Sequence, residues 1–347
     1  MSFDLADYDF DLPEEQIAQF PASARDSARM LVVDRAAGTF TDAHFVDLPK
    51  YLEPTDTLVL NATRVFPARL VGRRASGGRA ELLLERAESD GTWRALAKPG
   101  RKLQVGASLD FGGNLIATVD EVFDDGRRRF RFNLDGDAFW TALEEAGRAP
   151  LPPYIRRPDE DESLAADRER YQTVYARERG SIAAPTAGLH FTEAILDQIR
   201  TDGPAVVEVT LHVGYGTFEP VKTDDLRKHQ VASESFEIDE AAASIIRSAK
   251  QRSNRVIAVG TTTTRALESA GADGPVAPSR AETSLTITPG YKFQVVDGLL
   301  TNFHLPKSSL LVLVSTFGGR ELILEAYRHA AVSGYRFYSY GDCMLIV

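Results

Sequence analysis

The sequence predicts an α/β fold, an open α/β body with a small antiparallel β-barrel domain inserted in it, and three observations carry that expectation. In both flanks of the chain, apolar strand-like runs alternate with helical patterns, as in a body of helices layered on a sheet. Between the flanks the rhythm changes to short β-favouring segments, with Gly or Asp turns about every ten residues. The charge changes with it, because residues 65–157 hold 16 basic and 13 acidic side chains against 24 and 37 elsewhere. A chain of 347 residues, 43% hydrophobic and 26% charged, suits two such units in one soluble protein. The expected division is body over 1–65, barrel over 66–152 and body again over 153–347.

In order along the chain, TLVLN (Thr57–Asn61) is the first apolar body strand. The barrel strands are RAELLLERA (Arg79–Ala87), TWRALAKP (Thr92–Pro99), NLIATVDEV (Asn114–Val122) and RRFRFNL (Arg128–Leu134). Arg129, Phe130, Arg131 and Phe132 alternate strictly, which puts the basic side chains on one face and the rings on the other. The charged stretch Arg156–Arg170 and the Gly-, Pro- and Ala-rich stretch Ala270–Arg280 read as mobile loops. Thr192 is the expected N-cap of a helix that buries Ile195, Leu196 and Ile199 and stops at Gly203; Asp239–Ser253 and Arg320–Val332 read likewise. VVEVTLHVG (Val206–Gly214), RVIAVG (Arg255–Gly260) and LLVLVS (Leu310–Ser315) complete the strands, most of them apolar enough for burial on both faces.

Several function classes drop out. No apolar run approaches the roughly 18 to 20 residues of a membrane span. The opening MSFDLADYDF carries acids where a secretory signal carries bases, so a cytoplasmic location is expected. A single cysteine, Cys343, excludes an internal disulfide, an iron–sulfur cluster and a multi-thiolate zinc site. There is no Gly-Lys for a P-loop; Gly214 and Gly216 begin a GxG, but Glu219 stands where a third glycine belongs. HExxH and GxSxG are absent, and no metal is expected. A net charge of −10 argues against nucleic acid in general. The middle segment is the exception, since its arginine and lysine clusters could neutralise several phosphates.

What remains is a set of polar segments near strand ends. VLNATRVFPAR places Asn61, Thr63 and Arg64 after one strand, and VGTTTTRALES places Thr261, Thr262, Thr263, Thr264 and Arg265 after another. Ligands of open α/β sheets bind beyond the carboxyl ends of the strands, and hydroxyls with helix-start amides suit a carboxylate or sugar. Plain N-capping by Thr261 or Thr262 is the simpler reading. APTAGLHFT offers His190, and TLHVGYGTFEPV offers His212 with Gly214, Tyr215, Gly216, Thr217 and Phe218. The glycines allow close backbone approach, and the rings could stack on a base or face a cation. HQVASE contributes Glu234, while TNFHLPKSS adds Asn302, His304 and Lys307.

Together these segments closely resemble one family, the S-adenosylmethionine:tRNA ribosyltransferase-isomerases of queuosine biosynthesis. The resemblance runs nearly end to end, through FDLPEEQIAQFPASARDSARML (Phe10–Leu31), LNATRVFPARLVG (Leu60–Gly72), APTAGLHFT, LHVGYGTFEPV, VGTTTTRALES, PGYKFQVVDGLLTNFHLPKSSLL (Pro289–Leu311) and YRFYSYGDCMLI (Tyr335–Ile346). It departs at Ala62, where an Asp is expected. The resemblance implies transfer of the ribosyl part of S-adenosylmethionine to the aminomethyl group of 7-aminomethyl-7-deazaguanine at the tRNA wobble position. The product would be epoxyqueuosine-tRNA, with adenine and methionine released. S-adenosylmethionine is then a co-substrate, and no separate cofactor is expected; a monomer is expected rather than an obligate oligomer.

A sulfonium acidifies the neighbouring ribose protons, so a base near neutral pKa has work to do. His190 or His212 is the expected base or the aid to adenine loss, with Glu234 as orienter or alternative base. Tyr215 or Phe218 would face the sulfonium or adenine, and Thr261 to Thr264 with Lys307 would lie near the methionine carboxylate. Asn61, Thr63, Arg64, Gly214, Gly216, Thr217 and Arg265 complete the expected small-molecule site. The tRNA is expected on Arg73, Arg74, Lys98, Arg101, Lys102, Arg127, Arg128, Arg129 and Arg131. The competing readings are a non-catalytic RNA-binding module and an S-adenosylmethionine-dependent tRNA methyltransferase, though the glycine-rich loop of the latter is not evident.

Overall fold

Alternating apolar positions close the middle segment on itself. In the computed structural model, which describes residues 2–158 and 163–347 except for the side chains of Ser163 and Phe218, six strands form a closed barrel. They follow β1 (Arg29–Asp34), β2 (Thr39–His44), β3 (Thr57–Asn61) and β4 (Thr63–Val65), and are β5 (Arg69–Arg74), β6 (Arg79–Ala87), β7 (Trp93–Lys98), β8 (Ser108–Asp110), β9 (Ile116–Val122) and β10 (Arg128–Phe132), ordered β10-β7-β6-β5-β8-β9. Leu82, Leu84, Ala95, Ala117, Val119 and Phe130 fill its interior, and α1 (Gly136–Ala146) covers one end with Phe139 and Leu143. Phe130 and Phe132 point inward and Arg129 and Arg131 outward, as the alternation predicts. Arg128 corrects the expected basic face. It is 5% exposed, with its guanidinium on the carbonyls of Leu103, Gly126 and Gly100, so it braces the barrel rather than meeting a phosphate.

The chain returns to the body through α2 (Ser163–Arg170) and β11 (Glu178–Ser181), which pairs in parallel with β4 to make a short stem under the barrel. Then come α3 (Glu193–Asp202), β12 (Ala205–Leu211), β13 (Glu234–Ile238), α4 (Glu240–Gln251), β14 (Val256–Val259), α5 (Thr261–Ala270), β15 (Ser279–Thr283), β16 (Gly298–Asn302), α6 (Ser309–Gly318), α7 (Arg320–Val332) and β17 (Cys343–Ile346). Among the described residues the body sheet has nine strands, ordered β15-β13-β12-β3-β14-β16-β17-β1-β2. Neighbours β12, β3, β14 and β16 run parallel, so their carboxyl ends at Leu211, Asn61, Val259 and Asn302 share one edge. Alternate residues of the same strands feed opposite cores. Val59, Val209 and Ala258 meet α4 to α7, while Leu58, Leu60 and Ile257 meet α3 and the segment around Phe45.

Thr192 caps α3, its Oγ1 accepting from the Ile195 amide, and Gly203 ends it in the left-handed region. Three expectations are corrected. Leu310–Ser315 lies within helix α6, where Leu311 to Val314 are consecutive and all buried and Leu310 is half-buried, so they show no helical stripe; Ser308 caps it. Within the charged stretch, Ser163–Arg170 is helical, and residues 159–162 lie outside the described part. The Gly- and Pro-rich stretch ends in strand β15, which pairs with β13.

Candidate active site

A cavity of about 520 Å³ opens at the shared carboxyl edge, where sheet order and chain order diverge. Thr261 and Thr262 from α5, Thr301, Asn302 and His304 from the end of β16, and the Ala183–Ala187 segment line it, with Tyr154, Tyr338 and Ser339 also at its wall. Thr217 and Leu310 are shared with a neighbouring cavity of about 540 Å³ that reaches Glu234, Arg265, His229 and the Leu285–Thr288 segment. A third cleft, about 1050 Å³, lies between barrel and body, lined by Lys98, Arg156, Arg157 and Tyr215 among others.

The threonines follow from the cap. Gly260, at φ 91°, precedes α5, and no side chain caps the helix, which corrects the expected Thr261 or Thr262 cap. Thr263 and Thr264 turn their hydroxyls back to the carbonyls of Val259 and Gly260, at 2.6 and 3.1 Å. The first amides of α5 therefore remain a positive end beside the cavity. Asn61 clips β3 to β12: it donates to the Leu211 carbonyl at 3.0 Å and accepts from the Leu211 and Thr63 amides at 3.0 and 3.2 Å.

The imidazoles divide. His304 lines the cavity, with Nε2 2.9 Å from the Thr301 hydroxyl, and burial lowers its pKa to about 3. His190 lies one layer behind, its Nε2 3.3 Å from the Asn302 amide nitrogen and its ring against Phe45; burial lowers its pKa to about 4. Asn302 also donates to the Tyr338 carbonyl at 3.1 Å, which fixes its amide orientation and leaves Oδ1 buried without a partner. His212 faces the stem instead, with Nδ1 2.8 Å from the Thr63 hydroxyl and its ring packed on Gly180; burial lowers its pKa too.

Glu234 is 5% exposed and fully engaged: it pairs with the Arg265 guanidinium and accepts from the Gly214 amide at 2.9 Å and the Thr217 hydroxyl at 3.3 Å. Arg265 also donates to the Leu285 and Thr283 carbonyls. The pair locks the loop carrying Gly214 and Thr217 onto α5. At Gly216 a Cβ would stand 2.7 Å from that of Ala232, which explains the glycine. Tyr215 packs toward the barrel core and lines the third cleft, not the first cavity. The Phe218 side chain lies outside the described residues. Lys307 is half exposed and paired with Asp9 at 2.6 Å. Arg64 is exposed on the stem.

On the barrel, Arg127 pairs with Glu85 at 2.6 Å, Arg129 with Glu121 at 2.9 Å and Arg131 with Asp120 at 2.7 Å, so much of that expected charge is already matched. Arg73 and Arg74 end β5, Lys98 is exposed at the cleft, and Arg101 and Lys102 are exposed in the turn that follows it. Sequence reasoning missed Tyr154, Tyr338 and Ser339 as cavity walls. Their only common signal is aromatic or hydroxyl character in loops, which is not specific. Among the described residues no group of three or more His, Cys, Asp or Glu is placed to hold a metal, and no helix is long and apolar enough to cross a membrane.

Comparison with known proteins places this geometry. The family model described as queuosine biosynthesis protein matches residues 5–346. The chain is 49% identical over 346 residues, 99% of each chain, to the S-adenosylmethionine:tRNA ribosyltransferase-isomerase of Moorella thermoacetica. It is 47% identical over 344 residues to that of Halothermothrix orenii, covering 98% of this chain and 99% of the other. The crystal structure of S-adenosylmethionine tRNA ribosyltransferase from Thermotoga maritima aligns with 98% of this chain and 100% of its own, at 34% identity and a TM-score of 0.55. With a switch-point cavity on an α/β body, an inserted barrel and matches along essentially its whole length, this chain belongs to the queuosine biosynthesis protein family.

Proposed function

We propose that the protein is an S-adenosylmethionine:tRNA ribosyltransferase-isomerase. It moves the ribosyl group of S-adenosylmethionine to the aminomethyl group of 7-aminomethyl-7-deazaguanine in the tRNA wobble position and rearranges it to the epoxycyclopentanediol of epoxyqueuosine, releasing adenine and methionine. The observation that carries this reading is the pairing, in one cavity, of an uncapped helix start with a buried acceptor that has no partner. The α5 amides suit the methionine carboxylate, and Asn302 Oδ1 suits its ammonium or another donor on the nucleoside. The adjoining cavity, which shares Thr217 and Leu310 with the first, adds room for the rest of the nucleoside.

The geometry redistributes the expected roles. Of the candidate imidazoles His304 is the one at the cavity wall; burial keeps it neutral, the form that can accept a proton from the carbon beside the sulfonium and return it toward departing adenine, while making it a weaker base than a free histidine. His190 positions Asn302, Glu234 and Arg265 hold the loop from Gly214 to Thr217, and His212 with Thr63 ties the stem. The wobble base enters through the barrel cleft past Tyr215, with Lys98, Arg101 and Lys102 and the outer arginines Arg73 and Arg74 nearest the phosphates.

The test is incubation of the purified protein with S-adenosylmethionine and tRNA carrying the aminomethyl base, followed by chromatography for adenine and mass spectrometry of the RNA. Adenine and methionine release with a ribosyl-derived mass gain is expected. A methyl mass gain would make the protein a methyltransferase, and binding without adenine release would make it an RNA-binding module.

A further inference from the structure

On the body, next to the cavity but outside it, the chain gathers guanidiniums that have Glu169 and Asp342 nearby but no described carboxylate at ion-pair distance. A separate hollow of about 300 Å³ is lined by Arg25, Arg170, Pro21 and Tyr340, and its wall includes His190 and Ser339, the latter shared with the cavity at the strand ends. Arg25 donates to the carbonyls of Leu189 and Glu169, both at 3.1 Å, and Arg170 to those of Ser23 and Ala22 at 3.2 and 2.6 Å. The Arg170 Nε is buried with no partner at all. Arg336 donates to the Phe20 carbonyl. Among the described residues none of the three guanidiniums forms an ion pair. In a chain with ten more acids than bases, and where the barrel arginines do form direct ion pairs, three guanidiniums held together on backbone carbonyls alone keep the capacity to take an external anion. Burial and the charge of Arg170 lower the Arg25 pKa and outweigh the opposite, smaller effect of the Glu169 carboxylate.

An aromatic ring stands beside them. Phe20 is 56% exposed, and the Arg157 guanidinium lies 4.4 Å from its ring centroid. Arg157 is itself pinned by Asp167 at 2.7 Å and lines the barrel cleft. An exposed ring among unmatched arginines is the arrangement that holds single-stranded nucleic acid, with bases stacked on the ring and phosphates on the guanidiniums.

We propose that Phe20, Arg25, Arg170 and Arg336 form a single-stranded RNA subsite on the body, where one nucleotide next to the reacting base stacks on Phe20 and its backbone phosphate sits on the arginines. The segment from Tyr154 to Arg157 joins the parts: Tyr154 lines the catalytic cavity, while Arg156 and Arg157 line the barrel cleft. The RNA strand therefore crosses this segment, with the barrel cleft on one side and the arginine hollow on the other. The inference rests on the tRNA reading above but assigns contacts to the body that the charge pattern of the sequence assigned to the barrel.

The experiment measures binding of an anticodon stem-loop RNA to the full chain over a salt series, with S-adenosylmethionine affinity measured in parallel. Phe20→Ala is expected to weaken RNA binding about 10-fold or more at an unchanged salt slope, and Phe20→Trp to restore it. Arg336→Gln and Arg25→Lys separate charge from fork. The first should flatten the slope of log affinity against log salt by about 0.7, and the second should keep the slope but lose affinity. S-adenosylmethionine affinity should stay at the wild-type value in all of them. Unchanged RNA affinity and slope in Phe20→Ala and Arg336→Gln, with adenine release intact, would overturn the subsite and leave the enzyme reading standing. Loss of RNA binding in these variants of a protein that releases no adenine would keep the subsite and sink the enzyme reading. A parallel loss of S-adenosylmethionine affinity would overturn the subsite by assigning these residues to the integrity of the cavity.

Discussion

Replacing Glu234 separates a structural carboxylate from a catalytic one. Its side chain is 3% exposed and that of Arg265 is 8%, so neither charge has water to fall back on. Glu234→Ala would leave the guanidinium with only the Leu285 and Thr283 carbonyls, and breaking a buried pair from one side costs about 3 to 5 kcal/mol. Glu234→Gln keeps the shape and the acceptor for the Gly214 amide but removes the counter-charge, so a loss of roughly 1.5 to 3 kcal/mol is expected. The assay is urea unfolding followed by fluorescence, where a lower midpoint at constant slope reports stability. The double variant Glu234→Gln/Arg265→Gln should lose less than the two single losses combined, because both partners go together. Turnover should fall only as far as the Gly214–Thr217 loop loosens. If Glu234→Gln unfolds at the wild-type midpoint while turnover falls 10²- to 10⁴-fold, the carboxylate moves protons and the structural assignment is wrong.

His304→Asn should reduce turnover by about 10²- to 10⁴-fold while S-adenosylmethionine still binds, whereas His212→Asn should keep turnover within a few-fold; steady-state adenine release compares them. Because the folded pKa of His190, about 4, lies below the unfolded value, the unfolded chain binds the extra proton. Stability is therefore full above about pH 6.5 and is lost as the pH falls toward 4, by roughly 3 kcal/mol for this residue alone. Thermal unfolding across that range should show a shallower decline in His190→Gln. At Gly180 a Cβ would stand 2.6 Å from His212 Cε1, so Gly180→Ala should cost about 1 to 3 kcal/mol, and His212→Ala in the same chain should recover part of it.

The barrel was legible because its strands alternate, and a period of two survives any detail of packing. The position of the switch-point cavity was legible because the threonine run follows an apolar strand, and parallel pairing brings such strand ends together whatever lies between them in sequence. Leu310–Ser315 was misread because a short run buried on every side has the same composition in a strand as in a helix; the Ser308 cap was the available clue. Strands β1, β16 and β17 are short apolar stretches embedded in longer polar motifs, and nothing local distinguishes them. For side chains, sequence supplied candidates but not direction. His190 and His304 are equally suggestive as letters, and only the fold puts one behind Asn302 and the other at the cavity wall. Charge has the same limit, since sequence does not show that Arg127, Arg129 and Arg131 pair directly with carboxylates from neighbouring barrel strands while Arg25 and Arg170 rest on backbone carbonyls.

Strand β3 sits inside the body sheet between β12 and β14, yet its partner β12 begins 148 positions later, Ala205 lying opposite Thr57. Pairings this distant close slowly, while the hairpins of the inserted barrel are local. At a synthesis rate of about 5 to 20 residues per second, the ribosome needs on the order of 7 to 30 s to deliver the second half of that pair. The guest unit thus has time to condense before its host exists, and the nascent chain must shield the bare apolar edge of β3 until then.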